Sequence, residues 1–206
     1  MVEEKEQAPR RRIITKGRLE SLSDLIFGLA LSIGALTLIG SAPKSFSGLL
    51  LSIGYFAFSF LILISVWRSY TSTMTNLQKV TPQVINLNSV LLFLVSIEPF
   101  LFNEFNATSI GTQNVSLLYA LDLGGLFAIQ AFLSNSVLAE LSGSCELRED
   151  FVHSRNQQVI AAGFFIISAL PFFWTLAIPL GNSSNFPVRF ILWIIPLLLH
   201  PFERAL

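Results

Sequence analysis

From Leu25 to Gly40 the chain runs almost without polar interruption, and directly before that run stands Arg18-Leu19-Glu20-Ser21-Leu22-Ser23-Asp24. A hydrocarbon core about 30 Å thick is crossed by roughly 20 apolar residues in helical form, because a helix satisfies its own backbone polar groups. The segment therefore predicts a transmembrane helix with a polar cassette at its mouth. An acid at that depth needs a partner or water, which marks Asp24 as part of a candidate functional element.

Apolar stretches of similar length recur over 46–69, 86–105, 115–139, 157–180 and 187–206. With 19–40 they predict an all-α, polytopic integral membrane protein of six spans. Residues 142–156 read as one of the polar connectors between them. The composition agrees: 52% of residues are hydrophobic and 13% charged, against about 25% charged in soluble domains, and the mean hydropathy is +0.65. Residues 1–17 carry charges of both signs and no short apolar core, so they read as a cytoplasmic tail preceding one six-span transmembrane domain over 18–206. Placing the amino terminus inside puts every Lys and Arg except Lys44 and Arg189 on the cytoplasmic side. By the positive-inside rule both termini are then cytoplasmic. The net charge of zero gives no electrostatic footprint for nucleic acid.

Motifs for other chemistries are missing. The sequence has no phosphate-binding Gly-x-x-x-x-Gly-Lys-Ser/Thr loop, no His-Glu-x-x-His, no Gly-x-Ser-x-Gly and no Cys-x-x-Cys. An enzyme is disfavoured, and no cofactor or metal is expected. Cys145 is a lone thiol, and His153 and His200 lie far apart near span boundaries. A voltage sensor would need an Arg ladder in the fourth span, but residues 115–139 contain neither Lys nor Arg. No Thr-Val-Gly-Tyr-Gly filter loop is present.

The cassette Arg18-Leu-Glu-Ser-Leu22-Ser23-Asp24 resembles the Arg-x-x-x-Phe-Ser-Asp signature that opens the first span of the transmembrane protein 175 family, the endosomal and lysosomal potassium channels and their prokaryotic relatives. Trp67 resembles that family's Trp-x-x-His, and Asn88 with Pro99 resembles its third span. Leu22 stands where the family has Phe, and Tyr70 where it has His. The resemblance implies a potassium-preferring monovalent cation channel, a homotetramer in the cell membrane of a prokaryote. Its pore would be lined by the first helix of each subunit and narrowed by aliphatic side chains, with permeant potassium as the only ligand besides membrane lipid. Carried over by position, the constriction falls on Leu29, Ile33 and Leu36, with the hydroxyl of Ser32 beside it.

Helical geometry places Leu29, Ile33 and Leu36 on one face, continued through Leu25 and Leu22. Such a stripe equally suits contact with lipid or with neighbouring helices. At 100° per residue, Asp24 points away from this face, so Trp67 and Asn88 are its expected partners on other helices. Arg18 is about 120° round from Asp24 by the same count and should also bond elsewhere. Gly28, Ser32, Gly34 and Ala35 read as small residues for close helix packing. Glu98 and Asp122 are intramembrane acids, and they support the alternative of a proton-linked secondary transporter; a non-transporting assembly factor is a further alternative. Glu140, near the cytoplasmic end of the fourth span, reads as solvated.

Overall fold

The computed structural model describes residues 16–40, 45–107, 112–141, 145–180 and 184–199. Most of residues 1–17, His200 and the end of the expected sixth span lie outside the described residues. Helix α1 spans Lys16–Gly40, α2 Phe46–Asn76, α3 Pro82–Ala107, α4 Thr112–Glu140 and α5 Cys145–Ser168. A single turn, α6 (Phe172–Thr175), and a hairpin of β1 (Ala177–Leu180) and β2 (Ser184–Pro187) lead to α7 (Val188–Leu199). Four helices, α1 to α4, are long and apolar enough to cross a membrane. The protein is a helical integral membrane protein.

Local chemistry fixes the helix ends. Ser45, in extended backbone conformation, caps α2 by accepting the Gly48 N–H at 3.1 Å. At the other end of α2 the Leu77 N–H closes on the carbonyls of Thr73 and Met74. Thr81 then accepts the Val84 N–H at 3.2 Å, and Pro82 opens α3 at the first helical position, where its missing N–H costs nothing. The connector between them is tied down twice. Lys16 donates to the carbonyls of Thr75 and Leu77 at 2.9 and 3.0 Å, satisfying acceptors at the end of α2. Glu140 accepts the backbone N–H groups of Gln78 and Lys79 at 2.9 and 3.3 Å. Glu140 is thus a clamp between α4 and the connector instead of a solvated acid.

The expected fifth span, 157–180, is not one helix. Helix α5 begins earlier, inside the segment read as a connector, and ends at Ser168. Its early polar half is amphipathic: Phe151 is buried, Arg148, Glu149 and Asp150 are exposed, and the buried series continues through Gln158, Ala161, Ala162 and Phe165. Pro171 prevents continuation, since it lacks an N–H and disfavours helical backbone in the residue before it. The chain then turns into the antiparallel hairpin, which pairs Ala177 with Pro187 and Leu180 with Ser184. Pro179 and Pro187 are tolerated there because a two-stranded ribbon has only edges.

Helix α4 lies at the centre, packed on α3, α5 and α2. Two adjacent glycines set how near its neighbours come. A Cβ on Gly124 would sit 2.7 Å from the Ile166 side chain of α5, and one on Gly125 would sit 2.9 Å from Leu94 of α3. Phe127 and Phe165 stack across the α4–α5 contact with centroids 5.7 Å apart and planes 4° from parallel.

Candidate functional site

Helix α1 has two unlike faces. Leu19, Ser23, Phe27, Ala30 and Gly34 are buried against the helices beside it. Leu22, Leu25, Leu29, Ile33 and Leu36 lie on the opposite face, and the last three are 58%, 41% and 60% exposed in the single chain. The spacing of both sets, three and four residues, follows the helical repeat. A bare aliphatic stripe on a helix of spanning length can meet lipid, another copy of the chain, or a pore. Ser32 is exposed next to it, its hydroxyl donating to the Gly28 carbonyl at 2.8 Å. Of the small residues expected to pack closely, Gly34 lies inside the chain, 3.6 Å from Phe56 for an added Cβ, whereas Gly28 has open space beside it and Ala35 is exposed.

The buried face of α1 is held by polar bonds to α2 and α3. Ser23 donates to the Leu19 carbonyl at 2.8 Å. Its one proton being used, its oxygen accepts the Tyr70 hydroxyl at 2.7 Å and the Asn88 amide at 3.3 Å. Trp67 donates its indole N–H to Asp24 at 3.0 Å. Ser23, Asp24, Trp67, Tyr70 and Asn88 are therefore brought together, with Asn88 serving Ser23 and not Asp24. Tyr70 supplies a hydrogen bond from the position where the resemblance would place His. The Phe27 ring packs on Tyr70 with centroids 5.9 Å apart. Arg18 is exposed and lines a groove with Ile85, Asn88 and Ser89 of α3; it bonds to no carboxylate among the described residues.

A second polar cluster sits deeper, between α2, α3 and α4. Glu98 is fully buried, and one of its oxygens accepts the Ser59 hydroxyl at 2.7 Å and the Tyr119 hydroxyl at 2.9 Å. Asp122, one turn along α4 from Tyr119, is 5% exposed. Farther along α4, Gln130 donates to the Val66 carbonyl at 2.7 Å, and Ser134 donates to Gln158, which in turn reaches Ser69.

Arg189, which the sequence reading places on the external side, is buried in α7. Its guanidinium donates to the carbonyls of Ser168, Ala169 and Leu170 at 2.7, 3.2 and 3.2 Å, and to Gln113 and Ser116 at 3.3 and 2.6 Å. These are terminal carbonyls of α5 and first-turn groups of α4, so the cation closes helix ends. Trp174 covers it, 5.5 Å from the guanidinium carbon. The Trp193 indole completes the cap by donating to Ser168 at 2.8 Å. The sequence signal was a single Arg between apolar stretches with a Trp four residues later, too common a pattern to identify the role.

Comparison with known proteins follows the same geometry. Residues 18–99, which carry α1, α2 and most of α3, match the family described as the endosomal/lysosomal potassium channel TMEM175. A potassium channel of Chryseobacterium sp. (strain P1-3) is 26% identical over 186 residues, covering 89% of this chain and 94% of that protein. The crystal structure of a lysosomal potassium-selective channel TMEM175 homolog from Chamaesiphon minutus superposes with a TM-score of 0.60 at 18% identity, covering 90% of this chain and 97% of that one. The family match falls on the helices joined by the Ser23 and Asp24 network, and the likeness of fold extends across nearly the whole chain, so the comparisons support the TMEM175 family.

Proposed function

We propose that this chain is one subunit of a potassium-preferring monovalent cation channel, and that Leu29, Ile33 and Leu36 of four α1 helices form its constriction. The observation that carries the reading is the contrast across α1: one face is bonded into the subunit through Ser23 and Asp24, and the other presents bare aliphatic side chains. The relatives described as potassium channels support the ion. One subunit supplies one copy of α1, and a single helix cannot enclose a pore. Closed symmetry is the usual way to build a ring from identical chains, here a homotetramer.

In this mechanism a narrow aliphatic neck expels water and blocks ions, and outward movement of the helices wets it. Ser32 places a hydroxyl beside the passage. The Trp67–Asp24 bond and the Tyr70–Ser23–Asn88 bonds keep α1 from rotating its stripe out of register. Helices α5 and α7 complete six spans in the membrane, with both termini in the cytoplasm of a prokaryotic cell and no cofactor beyond the permeant ion.

Purified protein in liposomes tests the reading. Wild type should pass potassium passively and faster than sodium, and Leu29→Asn should raise sodium flux relative to potassium by wetting the neck. Absence of passive flux in wild type overturns the channel. Unchanged conductance and selectivity in a folded Leu29→Asn protein removes Leu29 from the constriction.

A further inference from the structure

The two acids of the inner cluster have no assigned task. Glu98 spends one oxygen on Ser59 and Tyr119, and its second oxygen has no hydrogen-bond partner. Both oxygens of Asp122 are likewise buried and unpartnered. Tyr119, whose hydroxyl donates to Glu98 of α3, stands one turn along α4 from Asp122. The nearest buried cation, Arg189 of α7, directs its bonds to Ser116 and to backbone carbonyls, not to either acid. From α2 the cluster includes the neutral Ser59, and the acid Asp24 of α1 is exposed and bonded to Trp67 at the cytoplasmic mouth. No third His, Cys, Asp or Glu joins the pair into a metal-ligand group among the described residues.

Two ionised carboxylates buried in one cluster around Tyr119, without a bonded cation, would each lack the compensation that burial of charge demands. We propose that Glu98 and Asp122 form a proton-binding site that holds one proton between them, carried on Asp122. The donors set the division of roles. Ser59 and Tyr119 both present O–H groups to Glu98, an arrangement that favours its anion. A protonated Asp122 then has one O–H to give, and the open oxygen of Glu98 is the unfilled acceptor beside it. A shared proton satisfies the pair with a single buried negative charge. This site lies on α3 and α4, away from the α1 stripe, and does not depend on what that stripe does.

Infrared difference spectroscopy of the full chain in lipid vesicles reads the proton directly, without any transport measurement. Wild-type protein should show a C=O stretch in the protonated-carboxyl region at neutral pH, and labelling aspartate at the side-chain carbon with carbon-13 should shift it. This arm needs no variant to fold. Asp122→Asn should abolish the band, and Glu98→Gln should keep it at a changed frequency because the acceptor has changed. A missing band, a band insensitive to the aspartate label, or one that survives Asp122→Asn overturns the assignment. Disappearance of the band on addition of sodium or potassium at constant pH would also overturn it, identifying the ligand as a metal cation.

Discussion

Helices α1 and α4 have the same mean hydropathy over their spanning windows, yet only 28% of the α1 window is buried inside the chain, against 61% for α4. Hydropathy alone states that a helix can enter a bilayer. It does not state which neighbours the helix will meet there. The polar residues make that distinction. Helix α4 buries Ser116, Tyr119, Asp122, Gln130 and Ser134, each a group whose exposure to lipid would be costly, whereas among the described residues the only polar side chain α1 buries is Ser23. The inner helix is identified by what it must hide, and the outer helix by what it leaves bare.

The sharpest way to break the contrast is to unfasten the inner helix. Arg189 joins the start of α4 to the end of α5 through five hydrogen bonds. Arg189→Ala should leave several buried acceptors unpaired, at about 1–3 kcal/mol for each group that finds no water. The expected loss is the largest of any substitution considered, and thermal unfolding in detergent should show it as a strong fall in Tm. A Tm within experimental scatter of wild type would mean that water replaces the guanidinium and that the cap is dispensable.

Close approach provides the next test. A Cβ at Gly124 would meet both the branched side chain of Ile166, at 2.7 Å, and the Ile166 backbone nitrogen, at 3.4 Å. The backbone contact is at ordinary van der Waals distance, so the clash is with Cγ1 of Ile166, whose β-branched side chain has little rotamer freedom in a helix. Gly124→Ala should therefore cost about 1–3 kcal/mol through overpacking, while Gly28→Ala, with open space around it, should be neutral or stabilising through helix propensity. Equal effects of the two substitutions on Tm would remove the distinction between the inner and outer helices.

Much of this arrangement was legible in the sequence, for reasons that differ between regions. The first four spans are long, apolar and separated by turn signals, so their existence could be read even where their ends moved. The α1 cassette was legible because a polar group at a span boundary needs a partner, and an indole N–H at Trp67 was one of few candidates. The region after Ser168 was not legible. Its residues are as apolar as a span, but Pro171 and Pro179 break them into a turn and a hairpin, and an apolar run of uncertain period does not distinguish these. The role of Arg189 was not legible because the rule that sorts Lys and Arg by side assumes a solvated cation, and this one is consumed by helix ends. Glu140 was misread because its partners are backbone N–H groups of a connector, which leave no mark on side-chain pattern.

The smallest effect on stability, and the most telling, is expected on the bare face. Leu29 is 58% exposed, so its replacement removes little packing within the subunit, and Leu29→Cys should alter thermal stability by no more than about 0.5 kcal/mol. If four α1 helices surround one axis, the same position lies near its own copies and should report them strongly. With Cys145 first replaced by Ser, mild oxidation of the Leu29→Cys protein in membranes should produce subunit dimers on a non-reducing gel. A control with the cysteine at Phe132, exposed on α4, should give none if that face meets lipid. Cross-linking at Phe132 with none at Leu29 would invert the comparison, putting α4 at the subunit contact and the aliphatic stripe of α1 against lipid. A monomeric native mass together with no cross-link at either position would leave no ring for a pore to pass through. Cross-linking at Leu29 alone would establish that the outer face of the subunit is the inner face of the assembly.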